Sequence, residues 1–288
     1  MDPHADSPAR KQSSSPIATI LVDTSLLIEQ QKRSHYAHPV REALAPYRFR
    51  GASSYSKLEF KRAWLQRLAW IHSRCRQPGV EKVLDVQDAI NHLLVHSAQI
   101  RRVQTCMDAI YRFLEADGKS LSGRAQLARL RAHCKSAVLT GAEAIQQLVT
   151  GEFRGTRCVR AEEPPTEKPD GSLDVSIRRC TREDVRCAVD KFFEANKPLF
   201  MSIAAFVGGC EKPFDELLHM REHILIADGE PQHLCDSGHC AKLADALIAV
   251  DGKDMDEFAA NNDREWVPIA TAMKKPLVNP VKGTRYNA

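Results

Sequence analysis

The chain has 288 residues and a formal net charge of +4, from 41 Lys and Arg against 37 Asp and Glu. That length gives roughly one to three domains with a substantial core, and a charge balance this mild neither establishes nor opposes a polyanionic partner. Nine cysteines without a Cys-x-x-Cys pair fit reduced thiols better than a disulfide framework, and no stretch reaches the ~18 consecutive apolar residues of a membrane span, so a cytoplasmic protein with no membrane partner is expected.

Residues 1–16 are polar and rich in Ser and Pro, lack the apolar core of a signal peptide, and read as a disordered tail. Ile17 to Val22 is then a continuous apolar run rich in β-branched residues, as in a strand buried on both faces. Asp23-Thr24-Ser25 ends it and a helix starts at Leu26, which puts Asp23 at the carboxyl end of a strand, where open α/β sheets bind ligands. Residues 50–54 read as a second strand, and Ser56-Lys57-Leu58-Glu59 has the capping-box pattern of a helix start. From Val80 to Val149 apolar residues recur at helical spacing: one long helix through Leu84, Ile90, Ile100, Ile110 and Leu114, a second from Arg124 to Val138, a third from Ala142 to Val149. The segment 161–172 is rich in Pro and acids and reads as a hairpin tip or linker. Thr181 to Asp184 looks like another helix start leading to Ala195, Leu199 to Val207 reads as buried helix, and Phe214 to Ile226 follows as a helix. A helix around Leu243 to Val250, a short strand near Glu257 to Ala260, a helix after Asp263 and a strand at Pro276 to Asn279 complete the pattern. Helices alternating with short strands at the two ends imply a parallel sheet, because parallel neighbours need helical crossovers. The expected organisation is a core of residues 17–75 and 210–288 interrupted by a helical insertion at 76–209.

Four carboxylates occupy settings that make sense together: Asp23, Glu59, Asp245 in Ala-Asp-Ala-Leu-Ile-Ala-Val, and Asp263 after Asn261-Asn262. Each also has a bland reading. Asp23 could cap the following helix, Glu59 could bond a backbone amide as the third residue of its capping box, and Asp263 could close an Asx turn. Asp245, among apolar residues at a helix start, is costly unless it is paired or metal-bound. If folding gathers all four, their mutual repulsion must be relieved by protons or a cation, and hard oxygen ligands suit Mg²⁺ or Mn²⁺.

These residues carry a resemblance. Ile20-Leu-Val-Asp-Thr-Ser-Leu-Leu-Ile28, Ser56-Lys-Leu-Glu-Phe60, Ala244-Asp-Ala-Leu-Ile-Ala-Val250 and Asn261-Asn-Asp-Arg-Glu-Trp266 resemble, in order, the four acidic motifs of the PIN domain. The resemblance covers roughly residues 17–70 and 214–280. It implies a three-layer α/β/α fold and a metal-dependent ribonuclease that hydrolyses RNA phosphodiesters, an activity found in toxins of toxin-antitoxin pairs and in RNA processing. Carried over by position, Asp23, Glu59, Asp245 and Asp263 are the metal-binding and catalytic carboxylates, with Thr24, Ser25 and Asn262 supporting them. The stretch between Glu59 and Asp245 is far longer than a compact PIN domain uses. A catalytically inactive scaffold binding RNA or protein, and a toxin held by an antitoxin, are the alternatives; a homo-oligomer is also open.

Basic residues that could contact phosphates gather at Lys61, Arg62 and Arg67, at Arg74 and Arg76, at Arg101 and Arg102, and across Arg124 to Lys135. They recur at Arg154, Arg157 and Arg160, at Arg178 to Arg186, and near the C-terminus at Lys274, Lys275, Lys282 and Arg285, where an exposed tail is the other reading. Imidazole and thiolate at His219, His223, His233, Cys235, His239 and Cys240 would suit Zn²⁺. Their spacing fits no familiar zinc module, so they read as isolated side chains near the entrance of the site, with Cys235 and Cys240 able to pair under oxidation. His92 and His96, four apart, are weak evidence for a site.

Overall fold

A computed structural model describes residues 18–32, 36–92, 100–175, 177, 187–235 and 239–287. The apolar run predicted as a buried strand is β1, Thr19–Val22, and its Ile20, Leu21 and Val22 are completely buried. A strand apolar on both faces needs cover on both, and the rest of the fold supplies it. Helices α1 (Thr24–Gln31) and α2 (Ala37–Leu44) lead to β2, Phe49–Ser53, parallel to β1. Next come α3 (Ser54–Phe60), a π-helical turn at Lys61–Leu65, α4 (Gln66–Arg74), α5 (Val83–Asn91), α6 (Ile100–Phe113), α7 (Gly123–Leu139) and α8 (Gly141–Gln146). Strand β3, Gly151–Phe153, then pairs with β2 in parallel.

After α9 (Val159–Glu162), strands β4 (Thr166–Glu167) and β5 (Leu173–Asp174) form a small antiparallel hairpin, with Gly171 at φ 75° in its turn. Helices α10 (Val189–Ala195), α11 (Lys197–Gly208) and α12 (Asp215–Gly229) are followed by two 3₁₀ turns, Pro231–Cys235 and His239–Leu243. The chain closes with α13 (Ala244–Asp251), β6 (Glu257–Ala259), α14 (Asp263–Ala272), β7 (Leu277–Asn279) and β8 (Thr284–Tyr286).

The main sheet has six strands in the order β3-β2-β1-β6-β7-β8, all parallel except β8, which runs antiparallel to β7. Side chains alternate across it. Leu21 and Phe258 face a core with Phe193, Phe200, Leu217, Leu247 and Trp266. Ile20, Val22 and Ala259 face the opposite core with Leu26, Val40, Phe60, Ile110 and Leu130. Helices thus cover both faces of an α/β sheet. Each large side chain buried this way stabilises the fold by about 1.5–3 kcal/mol. Gly51 in β2 lies between aromatic rings: a Cβ there would meet Phe153 at 2.2 Å and Phe49 at 3.0 Å. Among the described residues no helix is long and apolar enough to cross a membrane.

β3, within the stretch read as a helical insertion, completes one edge of the main sheet, and α11 packs on α12, α13 and α14. Three residues are too few for a periodicity to show. The helix read through Leu84 to Leu114 is two described helices, α5 and α6, with 93–99, including His96, outside the described residues; Thr181 to Asp184 lies outside them as well. The C-terminal basic segment, open to phosphate binding or to an exposed tail, is partly β8, where Arg285 pairs with Glu257 at 2.6 Å.

The middle stretch is also tied to the first core helices by one buried lysine. Lys61, 5% exposed, donates its Nζ to the Arg160 carbonyl at 2.8 Å and the Glu163 carbonyl at 2.6 Å. Lys61→Met should strand both carbonyls and lower stability by about 1–3 kcal/mol in urea unfolding; an unchanged midpoint would show that this tie contributes nothing.

Candidate metal centre

Strand order creates the site. The chain leaves β1 toward β2 on one side, and β6 followed by β7 builds the other, so the crevice beyond the carboxyl ends of β1 and β6 is a topological switch point. Asp23 follows β1 directly, and its backbone N–H donates to the Ala259 carbonyl of β6 at 2.9 Å. Asp23 is also the N-cap of α1: Oδ2 accepts from the Ser25 backbone at 2.9 Å and from its hydroxyl at 2.5 Å. The capping reading is therefore correct for one oxygen. The other, Oδ1, is buried with no hydrogen-bond donor among the described residues.

Glu59 arrives on α3. That helix begins at Ser54 with Ser53 as its cap, accepting from Tyr55 N at 3.1 Å, so the start read at Ser56 is corrected and Glu59 lies beyond the first turn. Its Oε2 accepts from the Thr24 hydroxyl at 2.9 Å. Asp245 enters in the first turn of α13. One carboxylate oxygen each from Asp23, Glu59 and Asp245 lie within 4.8 Å of one another. Thr24 and Ser25 thus orient two of the three acids, and Ser25 Oγ also accepts from the Asn261 backbone at 3.2 Å.

Asp263 does not join them. Its carboxylate accepts from Asn279 at 2.6 Å, Tyr286 at 2.9 Å and Lys282 at 2.5 Å. Burial raises its pKa, but these three donors outweigh that and hold the carboxyl below the usual range. Glu265, two residues on in the first turn of α14, instead lines the same cleft and lies close enough to Asp245 to raise its pKa. Asn262 is the N-cap of α14, makes no capping bond with its side chain, and lines the cleft with Asn261.

The cleft has a volume of about 850 Å³. Among the described residues, Asp23, Glu29, Glu59, Asp108, Glu216, Asp245 and Glu265 line it against two lysines, Lys32 and Lys242, and Lys32 is already paired with Asp108 at 2.8 Å. Burial pushes Asp23 up, with Glu265 adding to the rise and the Ser25 bonds opposing it. Burial and the neighbouring Asp23 raise Glu59 from 4.5 to about 7. Asp245 is held well above the carboxylate range by burial, then by Glu59, Asp23 and Glu265. Two carboxyl groups in contact share a proton or need a cation between them. Asp23, Glu59 and Asp245 offer hard oxygens from three different elements, Glu265 stands beside them on a fourth, and one buried oxygen, Asp23 Oδ1, has no partner among the described residues. This donor set fits Mg²⁺ or Mn²⁺.

Many of the basic residues considered for phosphate binding are occupied by acids: Arg124 by Glu81, Lys135 by Glu167, Arg154 by Glu152 and Lys282 by Asp263. Arg178, Arg179, Arg182 and Arg186 lie outside the described residues. Arg67 instead lies in electrostatic range of both Arg62 and Arg102, and Arg62 in range of Glu59.

The histidines read as isolated are not. His223, His233 and His239 bring ring nitrogens within 4.8 Å of one another. His219 lines the acidic cleft. Cys240 turns inward, accepting from Arg160 at 3.1 Å and from Tyr55 at 3.5 Å, while Cys235 lies against Cys187, so the pairing of Cys235 with Cys240 is not seen. The eight described cysteines are free thiols.

Compared with known proteins, the chain matches no family model, no curated sequence and no solved structure.

The raised pKa of Glu59 has a sign that can be measured. The folded chain binds this proton more tightly than the unfolded chain, so without a cation stability falls as pH rises from 4.5 to about 7. Thermal melts in chelator across that window should show a smaller decline for Glu59→Gln than for the parent chain; parallel curves would contradict the assignment.

Proposed function

We propose that the chain is a divalent-metal-dependent nuclease of PIN-like architecture that hydrolyses RNA. The observation that carries this reading is the convergence of Asp23, Glu59 and Asp245, remote in sequence, within 4.8 Å, with the buried Asp23 Oδ1 lacking a donor among the described residues. The ordered resemblance of residues 20–28, 56–60, 244–250 and 261–266 to the PIN motifs supports it from the sequence side.

Asp23, Glu59 and Asp245 would hold the ion, with Glu265 completing the acidic wall. A divalent cation there supplies a Lewis acid that activates water and offsets charge on the phosphate. Thr24 fixes Glu59 through Oε2 and Ser25 fixes Asp23 through Oδ2, leaving the other oxygen of each free to face the cleft. A cation bound there would favour the ionised form of Asp245, which the metal-free site holds protonated above the usual carboxylate range. Without a cation the acidic cleft repels a phosphodiester, so the same residues that bind the ion make substrate binding depend on it. Arg62, in electrostatic range of Glu59, can neutralise a backbone phosphate beside the cut.

Single-stranded and structured RNA incubated with Mn²⁺ should be cut by the parent chain and left intact in chelator, with single-stranded DNA as the comparison. Asp245→Asn should reduce cleavage at least about a hundredfold while keeping or raising the melting temperature in chelator, because it removes a buried repulsion. Retained Mn²⁺-dependent cleavage by Asp245→Asn would refute the assignment.

Glu265 and Asp263 separate the geometry from the motif. Glu265→Gln should weaken Mn²⁺ binding by roughly tenfold or more, whereas Asp263→Asn should leave it within about twofold and cost about 1 kcal/mol of stability through lost bonds to Asn279 and Tyr286. Calorimetric titration with MnCl₂ measures both, and the reverse ranking would restore Asp263 to the site.

A further inference from the structure

His223 on α12, His233 in the first 3₁₀ turn and His239 in the second converge from three elements outside the acidic cluster. Nδ1 of His223 and Nε2 of His233 are 3.3 Å apart, and all three ligand nitrogens fit within 4.8 Å. A tetrahedral ion with Zn–N bonds of about 2.0–2.1 Å separates its nitrogen ligands by about 3.3–3.4 Å. One edge of such a site is therefore formed, and the third nitrogen is within a side-chain rotation of it. The rings pack together, with centroids 4.0 Å apart for His233 and His239 and 5.2 Å for His223 and His239. Burial, with His239 and His233 adding to it, pushes His223 below the usual histidine range.

We infer that His223, His233 and His239 form a second metal site, of nitrogen ligands, that binds Zn²⁺ or a similar borderline cation. It is distinct in chemistry from the carboxylate cluster: imidazole suits Zn²⁺, whereas carboxylates suit Mg²⁺ and Mn²⁺. All three histidines are partly exposed, so the fourth coordination position opens to solvent. The bound ion clamps both 3₁₀ turns onto α12. The second turn runs directly into α13, which carries Asp245, and α12 supplies Glu216 and His219 to the cleft wall. Zinc in this position braces one wall of the acidic site without entering it, and the inference stands whether or not that site cleaves RNA.

The test uses the full chain, stripped with chelator, dialysed and titrated with ZnCl₂. Carboxylates can also take up zinc, so the titration is repeated in Asp245→Asn, where one equivalent should remain. X-ray absorption at the zinc edge of that sample should show imidazole nitrogen scatterers at about 2.0 Å. His233→Ala and His239→Ala should each lose this equivalent and the zinc-dependent rise in melting temperature. A chain that binds no zinc once Asp245 is replaced, a spectrum with oxygen scatterers alone, or an unchanged stoichiometry in the folded histidine variants would overturn the proposal. The absorption measurement needs no histidine variant, so it decides the matter even if those variants do not fold.

Discussion

Carboxylates that repel one another at the end of a buried strand are the constraint on which this molecule is organised. Asp23, Glu59, Asp245 and Glu265 occupy one crevice, and burial there holds the first three above the usual carboxylate range. The fold overcomes this with neutral donors aimed at specific oxygens, from Thr24 to Glu59 and from Ser25 to Asp23, and leaves the remaining charge for a cation or protons. A site built this way is strained when empty of positive charge and relaxed when filled, which couples the stability of the fold to its ligand.

The position of that crevice follows from the sheet. β1 is covered on both faces and flanked by β2 and β6, so the segments leaving the carboxyl ends of β1 and β6 must diverge there. The polar residues that follow these strands have nowhere to go except around the gap. Asp245 comes from a different direction, on α13, yet the packing of Leu247 and Val250 into the same core as Leu21 holds its helix against the strand ends. The apolar core sets where the acids stand, and hydrogen bonds set which oxygens they present.

Much of this was legible in the residues. The run Ile17 to Val22 and the placement of Asp23 behind it could be read because both are local, and Asp245 stood out as a charge embedded among apolar neighbours. The surroundings of Asp263 and the C-terminal strand were not legible, for one reason. Asp263 and Glu265 fall in the first turn of one helix, and residues two apart point to different sides of it. Which faces the cleft depends on β8, whose Thr-Arg-Tyr core has no hydrophobic pattern; once it pairs with β7, Tyr286, Asn279 and Lys282 surround Asp263 and leave Glu265 to the cluster. The three histidines escaped for a related reason, since their convergence depends on how two short 3₁₀ turns fold back on α12, which no spacing rule encodes.

The most direct test of the central claim is a crystal of the chain soaked in MnCl₂, with an anomalous difference map recorded at the manganese edge. The account predicts a peak bounded by Asp23 Oδ1 and by the carboxylates of Glu59 and Asp245. A map without a peak there, or with manganese held instead by Asp263, would contradict it.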